Sequence, residues 1–137
     1  MDNLTSVDSR PNGLLKVIVK RSEWNGNTLS MVACSSLYNS HTGKRCCLGF
    51  AANAAGLDDH LLNGYGYIHN IKGQIPVVLL PLIDEDNNRQ SQISASLTAA
   101  NDNLFGYLNK KFRTMAEKET YIIQHGIKAG IQFEFVD

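Results

Sequence analysis

The two ends of this chain alternate apolar and polar residues with a period of two, and the long middle does not. From 14 to 19, Leu15, Val17 and Val19 interleave with Lys16 and Lys20, although Ile18 departs from strict alternation. From 131 to 135, Ile131, Phe133 and Phe135 point one way and Gln132 and Glu134 the other. Successive side chains of a strand point to opposite faces, so each segment reads as a strand with one wet face. A lone strand leaves its backbone groups unpaired. The two are therefore expected to pair with each other in a small sheet and to bring the chain ends together.

The residues between them read mainly as helix. Cys47, Phe50, Ala51 and Ala54 recur at i, i+3, i+4 and i+7, which predicts a helix over 44–55 stopped by Gly56. Its small residues, Gly49 among them, suit a central helix that neighbours approach closely. A turn of helix is expected over 58–62 with Asp58 as its cap, and a strand or an aromatic loop over 65–71. Pro76 and Pro81 oppose helix in the apolar run 75–83, which is expected to cover the core in extended form, and 84–90 is expected to be a polar loop. Helix resumes over 91–100 and stops at Asn101-Asp102-Asn103. Thr114 and Glu117 form a capping box opening a helix that ends near Gly126. The pattern is α+β: a small sheet that includes the paired terminal strands, packed against several helices. Residues 1–13 are expected to be a flexible tail and 14–137 one domain.

At 137 residues, with 43% hydrophobic and 19% charged, the chain can bury a core of ordinary size. Thirteen basic residues balance thirteen acidic ones, so no general field draws nucleic acid or an anionic membrane. Small basic groups at Lys16, Lys20 and Arg21 and at Lys110, Lys111 and Arg113 read as solvated flanks. The start of the chain lacks the basic and apolar regions of a secretory signal, and 75–83 is too short to span a bilayer. The three cysteines, Cys34, Cys46 and Cys47, are odd in number with two adjacent, which suits reduced thiols. A cytoplasmic protein without membrane contact is expected.

Four segments resemble, in order and spacing, a family of small uncharacterised proteins of tailed bacteriophages and prophages. They are Arg21-Ser22-Glu23-Trp24 after the first strand, Gly43-Lys44-Arg45-Cys46-Cys47-Leu48-Gly49-Phe50 at a helix start, Ala100-Asn101-Asp102-Asn103, and the terminal strand Gly130 to Asp137. Asn103 departs from the family, which would place an acidic residue there, and this speaks against a metal or acid role for the segment. The resemblance implies phage origin and carries no reaction with it.

The chemistry-bearing residues suggest several readings. Cys46 or Cys47 at a helix N-terminus, with His41 as base, has the parts of a thiol nucleophile, yet cysteines on an apolar helix face are ordinarily inert packing. Adding His60 or His69 gives no zinc spacing, and adjacent helical cysteines diverge by about 100°. Asp58-Asp59 and Asp84-Glu85-Asp86 read as a cap and a loop. The Gly64-Tyr65-Gly66-Tyr67 turn lacks a phosphate-loop frame, but its rings can stack on a base. Asn101-Asp102-Asn103 reads as a tight helix junction, and Trp24 as a core plug or, if exposed, a binding anchor.

Trp24, Tyr65, Tyr67, Asn101, Asp102 and Asn103 are the candidate binding residues, with no catalytic residue, metal or cofactor expected. The leading reading is a non-enzymatic phage accessory protein that binds a host or phage protein and modulates host metabolism or anti-phage defence. In that case it works in the host cytoplasm. The alternative is a small-ligand or nucleotide binder, extending to an enzyme acting on a signalling nucleotide. Nucleic acid is the least favoured partner.

Overall fold

The computed structural model describes residues 13–32 and 36–137; residues 1–12 of the expected tail and Cys34 lie outside the described residues. The fold is α+β. Strand β1 (Leu15–Lys20) pairs with β4 (Ile131–Val136) in a two-stranded sheet. Leu15, Val17 and Val19 are buried while Lys16, Ile18 and Lys20 face out, so the alternation is strict in space and Ile18 is an apolar residue on the wet face.

The pairing is parallel, with Leu15 opposite Ile131 and Lys20 opposite Val136. The parallel direction therefore does not bring the start of β1 to the end of β4, as the expected meeting of the ends required. Two parallel strands start together, so the start of β1 and the end of β4 lie roughly 16 Å apart along the ribbon. It is Arg21, beyond the far end of β1, that holds Asp137, Nη1 to Oδ1 at 2.8 Å. A tight turn sets the direction: α5 (Met115–Lys128) reverses through Ala129 and left-handed Gly130 (φ +77°) directly into β4.

Helix α1 (Cys47–Ala54) packs on β1, α5 packs on β4, and α3 (Gln92–Asp102) packs on both helices. The first six residues of α1 are buried all round, while Ala54, expected in the core, is exposed. A Cβ on Gly49 would overlap the Leu37 carbonyl oxygen, so glycine is what lets the neighbouring chain reach this helix. The helix starts three residues later than its spacing predicts. Arg45 is held extended because its N–H donates to Glu23 O (2.9 Å) and its carbonyl accepts from Asn25 N (3.0 Å).

Helix α2 (Asp59–Leu62) has Asp58 at its N-cap position, but the Asp58 side chain accepts no capping bond. Residues 65–71 are irregular around a 3₁₀ turn, Ile68–Asn70. The run 75–83 is not extended: Val77–Leu82 forms consecutive 3₁₀ turns. Proline's fixed φ is compatible with a short 3₁₀ segment. The expected polar loop contains a two-residue hairpin, β2 (Ile83–Asp84) with β3 (Arg89–Gln90), turned by left-handed Asn88.

Ser91 caps α3, and the helix runs through Asn101 and Asp102 to end at left-handed Asn103 (φ 59°). Short α4 (Phe105–Leu108) follows. Thr114 Oγ1 caps α5 by accepting from Glu117 N (3.1 Å); Glu117 returns a bond to Arg113 N, one residue before the expected place. Gly126 does not end α5. It lies inside the helix because a Cβ there would stand 2.6 Å from the Phe133 ring, so only glycine lets α5 lie against β4.

Candidate functional site

Asn101, in the last turn of α3, uses its whole side chain. Its Oδ1 accepts from Trp24 Nε1 (2.7 Å) and from Cys47 N (2.9 Å), while its Nδ2 donates to Asn25 Oδ1 and Asp102 Oδ1, each at 2.9 Å. The first N–H of α1 is one of the donors a helix leaves unpaired, and Asn101 satisfies it from another helix. One amide thus joins the segment after β1, the start of α1 and the end of α3.

Lys118 lies beneath it, fully buried, with Nζ donating to Asn101 O (2.8 Å) and Thr28 O (3.0 Å) and standing 5.2 Å from the Trp24 ring centre. A lysine at the C-terminal end of a helix satisfies an orphan carbonyl and complements the negative end of the dipole. Burial nevertheless pushes its ammonium down to about 8. Asn103 Nδ2 donates to Thr28 O (3.0 Å) and Ser30 O (2.6 Å), and Val32 N donates to Asp102 O (3.0 Å). The 25–32 segment is therefore strapped over the end of α3. Gly26 makes this close passage feasible, since a Cβ there would lie 2.6 Å from Trp24 Nε1.

Beside this hub is a crease of about 150 Å³. Cys46, Cys47 and Leu48 form one wall and Thr98, Asn101 and Asp102 another, with Gly66 and Tyr67 at the mouth. Asp102 is 8% exposed and Tyr67 38% exposed. Tyr67 stacks on His69, with ring centres 5.7 Å apart. Burial pushes the Cys46 thiol up to about 12, and burial first, then Cys46 and Asp102, holds Cys47 well above the ordinary thiol value. Both therefore stay protonated near neutral pH, and the start of α1 does not make either a thiolate nucleophile. His41 sits in the 39–44 turn and does not line the crease.

Three of the six candidate residues, Tyr67 and the adjacent pair Asn101 and Asp102, meet at the crease although Tyr67 lies more than thirty positions from the pair. The other three do not line it. Trp24 is 1% exposed and packs against Phe135 with ring centres 4.8 Å apart and planes tilted by 47°, so it is a core plug and offers no surface anchor. Tyr65 is half-buried against the core, its backbone accepting from Leu37 N, and Asn103 straps the 28–30 segment. Lys118 went unread in the sequence, although it shares an i, i+4, i+8 stripe with buried Ile122 and Gly126. That stripe is the signal that would have placed a lysine inside.

The basic groups are largely paired. Lys16 bridges Glu134, Lys20 bridges Glu23, Arg113 bridges Glu117, and Arg21 donates to both oxygens of Glu119 at 2.8 and 2.9 Å. Among the described residues, no group of three or more His, Cys, Asp or Glu side chains is placed to hold a metal, and no helix is long and apolar enough to cross a membrane. No family model, curated protein or solved structure matches the chain.

Proposed function

We propose that this chain is a phage accessory protein that acts by binding a host or phage protein, not by catalysis. The partner docks over the mouth of the crease, and the consequence is a change in host metabolism or anti-phage defence within the host cytoplasm. One observation carries the reading. Tyr67 stands 38% exposed at the mouth of a cavity of about 150 Å³, room for one inserted side chain. Aromatic residues beside small pockets are the usual centres of binding energy at protein interfaces. The polar groups of the crease are engaged in the fold: Asn101 has no spare hydrogen-bonding capacity on its amide hydrogens, and the thiols are neutral.

The test is capture of a partner from host lysate by the tagged protein, compared with Tyr67→Ala. A specific partner whose affinity falls roughly thirtyfold, the 2 kcal/mol of an aromatic hot spot, supports the reading. It is overturned if no partner is captured, or if a folded Tyr67→Ala protein captures it equally well.

The second reading, a small-ligand or nucleotide site in the same crease, draws on the meeting of Tyr67, Asn101 and Asp102. Two features weigh against a nucleotide. The lining holds a carboxylate and no Lys or Arg to meet a phosphate, and the volume is below the roughly 300–1,000 Å³ of most small-molecule sites. Stabilisation by millimolar nucleotide in a thermal-shift screen, abolished in Asp102→Asn, would favour it over the protein-binding reading.

A further inference from the structure

His69, stacked on Tyr67 of the crease, lines a separate cleft of about 400 Å³. Ile71, Ile75, Leu80 and Ile83 give it an apolar bed, and the 3₁₀ turn after β2 sets Glu85 in its lining. We infer that this cleft is a second binding site, for a small organic amine whose body is an apolar ring or chain.

Charge and hydrogen bonding select that class. Glu85 is exposed and makes no ion pair or hydrogen bond through its side chain among the described residues. The nearby arginine is already engaged, Arg89 Nε bonding Asp84 Oδ2 at 3.3 Å. The lining includes no Lys or Arg, and Lys72 adjoins the cleft in sequence without lining it. An anion therefore finds no counter-charge there, whereas a cation finds a carboxylate with open lone pairs. His69, also in the lining, has a buried Nδ1 with no hydrogen-bond partner. That atom is out of reach of the cleft, so the carboxylate of Glu85 is the acceptor an ammonium N–H meets there. The aliphatic bed takes the ligand's apolar body, as in most small-molecule sites.

The test titrates phenethylamine into the protein with labelled isoleucine methyl groups, alongside phenethyl alcohol, which has the same body without the charge. The amine should shift the Ile71, Ile75 and Ile83 methyl signals in the millimolar range, and the alcohol should bind more weakly. Glu85→Gln should weaken the amine roughly three- to fivefold, the scale of an exposed ion pair, and leave the alcohol unchanged. Equal binding of amine and alcohol, an unchanged affinity in Glu85→Gln, or shifts confined to other methyl groups would each overturn the inference, as would no shift at all. Because Glu85 is exposed, its substitution leaves folding intact, and partner capture over the crease should be unaffected.

Discussion

Alanine at position 101 removes an oxygen that accepts two hydrogen bonds and a nitrogen that donates two. The Trp24 Nε1–H and the Cys47 N–H are both buried, and among the described residues no other group accepts from either. Leaving a buried donor unsatisfied costs about 1–3 kcal/mol, so the pair predicts a loss of about 2–6 kcal/mol. A water entering the space left by the amide would bridge both donors and bring the loss toward the lower end. Even that is a large share of the roughly 5–15 kcal/mol that holds a typical domain folded.

Urea unfolding followed by circular dichroism measures the loss without relying on the tryptophan signal. A double-mutant cycle with Trp24→Phe isolates the indole bond, because phenylalanine has no N–H to strand. The coupling between the two positions should be about 1–3 kcal/mol. A loss in Asn101→Ala below about 0.5 kcal/mol, the ordinary surface range, would refute the idea that this amide organises the fold. An absence of coupling would refute the assignment of the indole bond.

Stability should rise with pH from 8 toward 9, because Lys118 titrates at about 8 folded against 10.5 unfolded, and between those values the unfolded chain holds the extra proton. Above about 9 the thiols, Cys46 raised from 9.0 to about 12, reverse the trend by ionising first in the unfolded chain; Lys118→Met should erase the initial rise, and a steady fall from pH 8 in the wild type would contradict the assignment. Gly49→Ala should prevent folding, since its Cβ overlaps a backbone oxygen, while Gly106→Ala meets no atom within 4 Å and should be neutral or stabilising by up to about 1 kcal/mol in thermal unfolding. In a Cys34→Ser background, Cys46 and Cys47 should resist alkylation at neutral pH until urea unfolds the chain; rapid labelling of the folded protein would overturn their burial.

Much of the local structure was legible. The alternation in β1 and β4, the Thr114 cap, the small-residue face around Gly49 and the stop at Gly56 are set by neighbours in the chain, whose spacing the sequence displays directly. The misreadings share one cause. Arg45 is extended because of Glu23 and Asn25, some twenty positions away, and Gly126 is a glycine inside the helix because β4, after the turn, brings the Phe133 ring against it. The 75–83 run was read from proline's dislike of α-helix, without weighing the 3₁₀ turns proline tolerates.

By itself the sequence determined that two one-sided strands needed a sheet, that the middle would be largely helical, and that Asn101-Asp102 and the Tyr67 turn were out of the ordinary. Only the tertiary structure decided that the strands run parallel, that Trp24 is inside, and that Lys118 is buried beneath Asn101. It also brought Tyr67, Asn101 and Asp102 to one crease and set Glu85 beside an aliphatic bed. The division follows the range of the forces. Pleat, cap and turn preferences act over a few residues and leave a periodic trace, whereas the hydrogen bonds of Asn101 to Trp24, Asn25 and Cys47 join residues 54 to 77 positions apart and leave none.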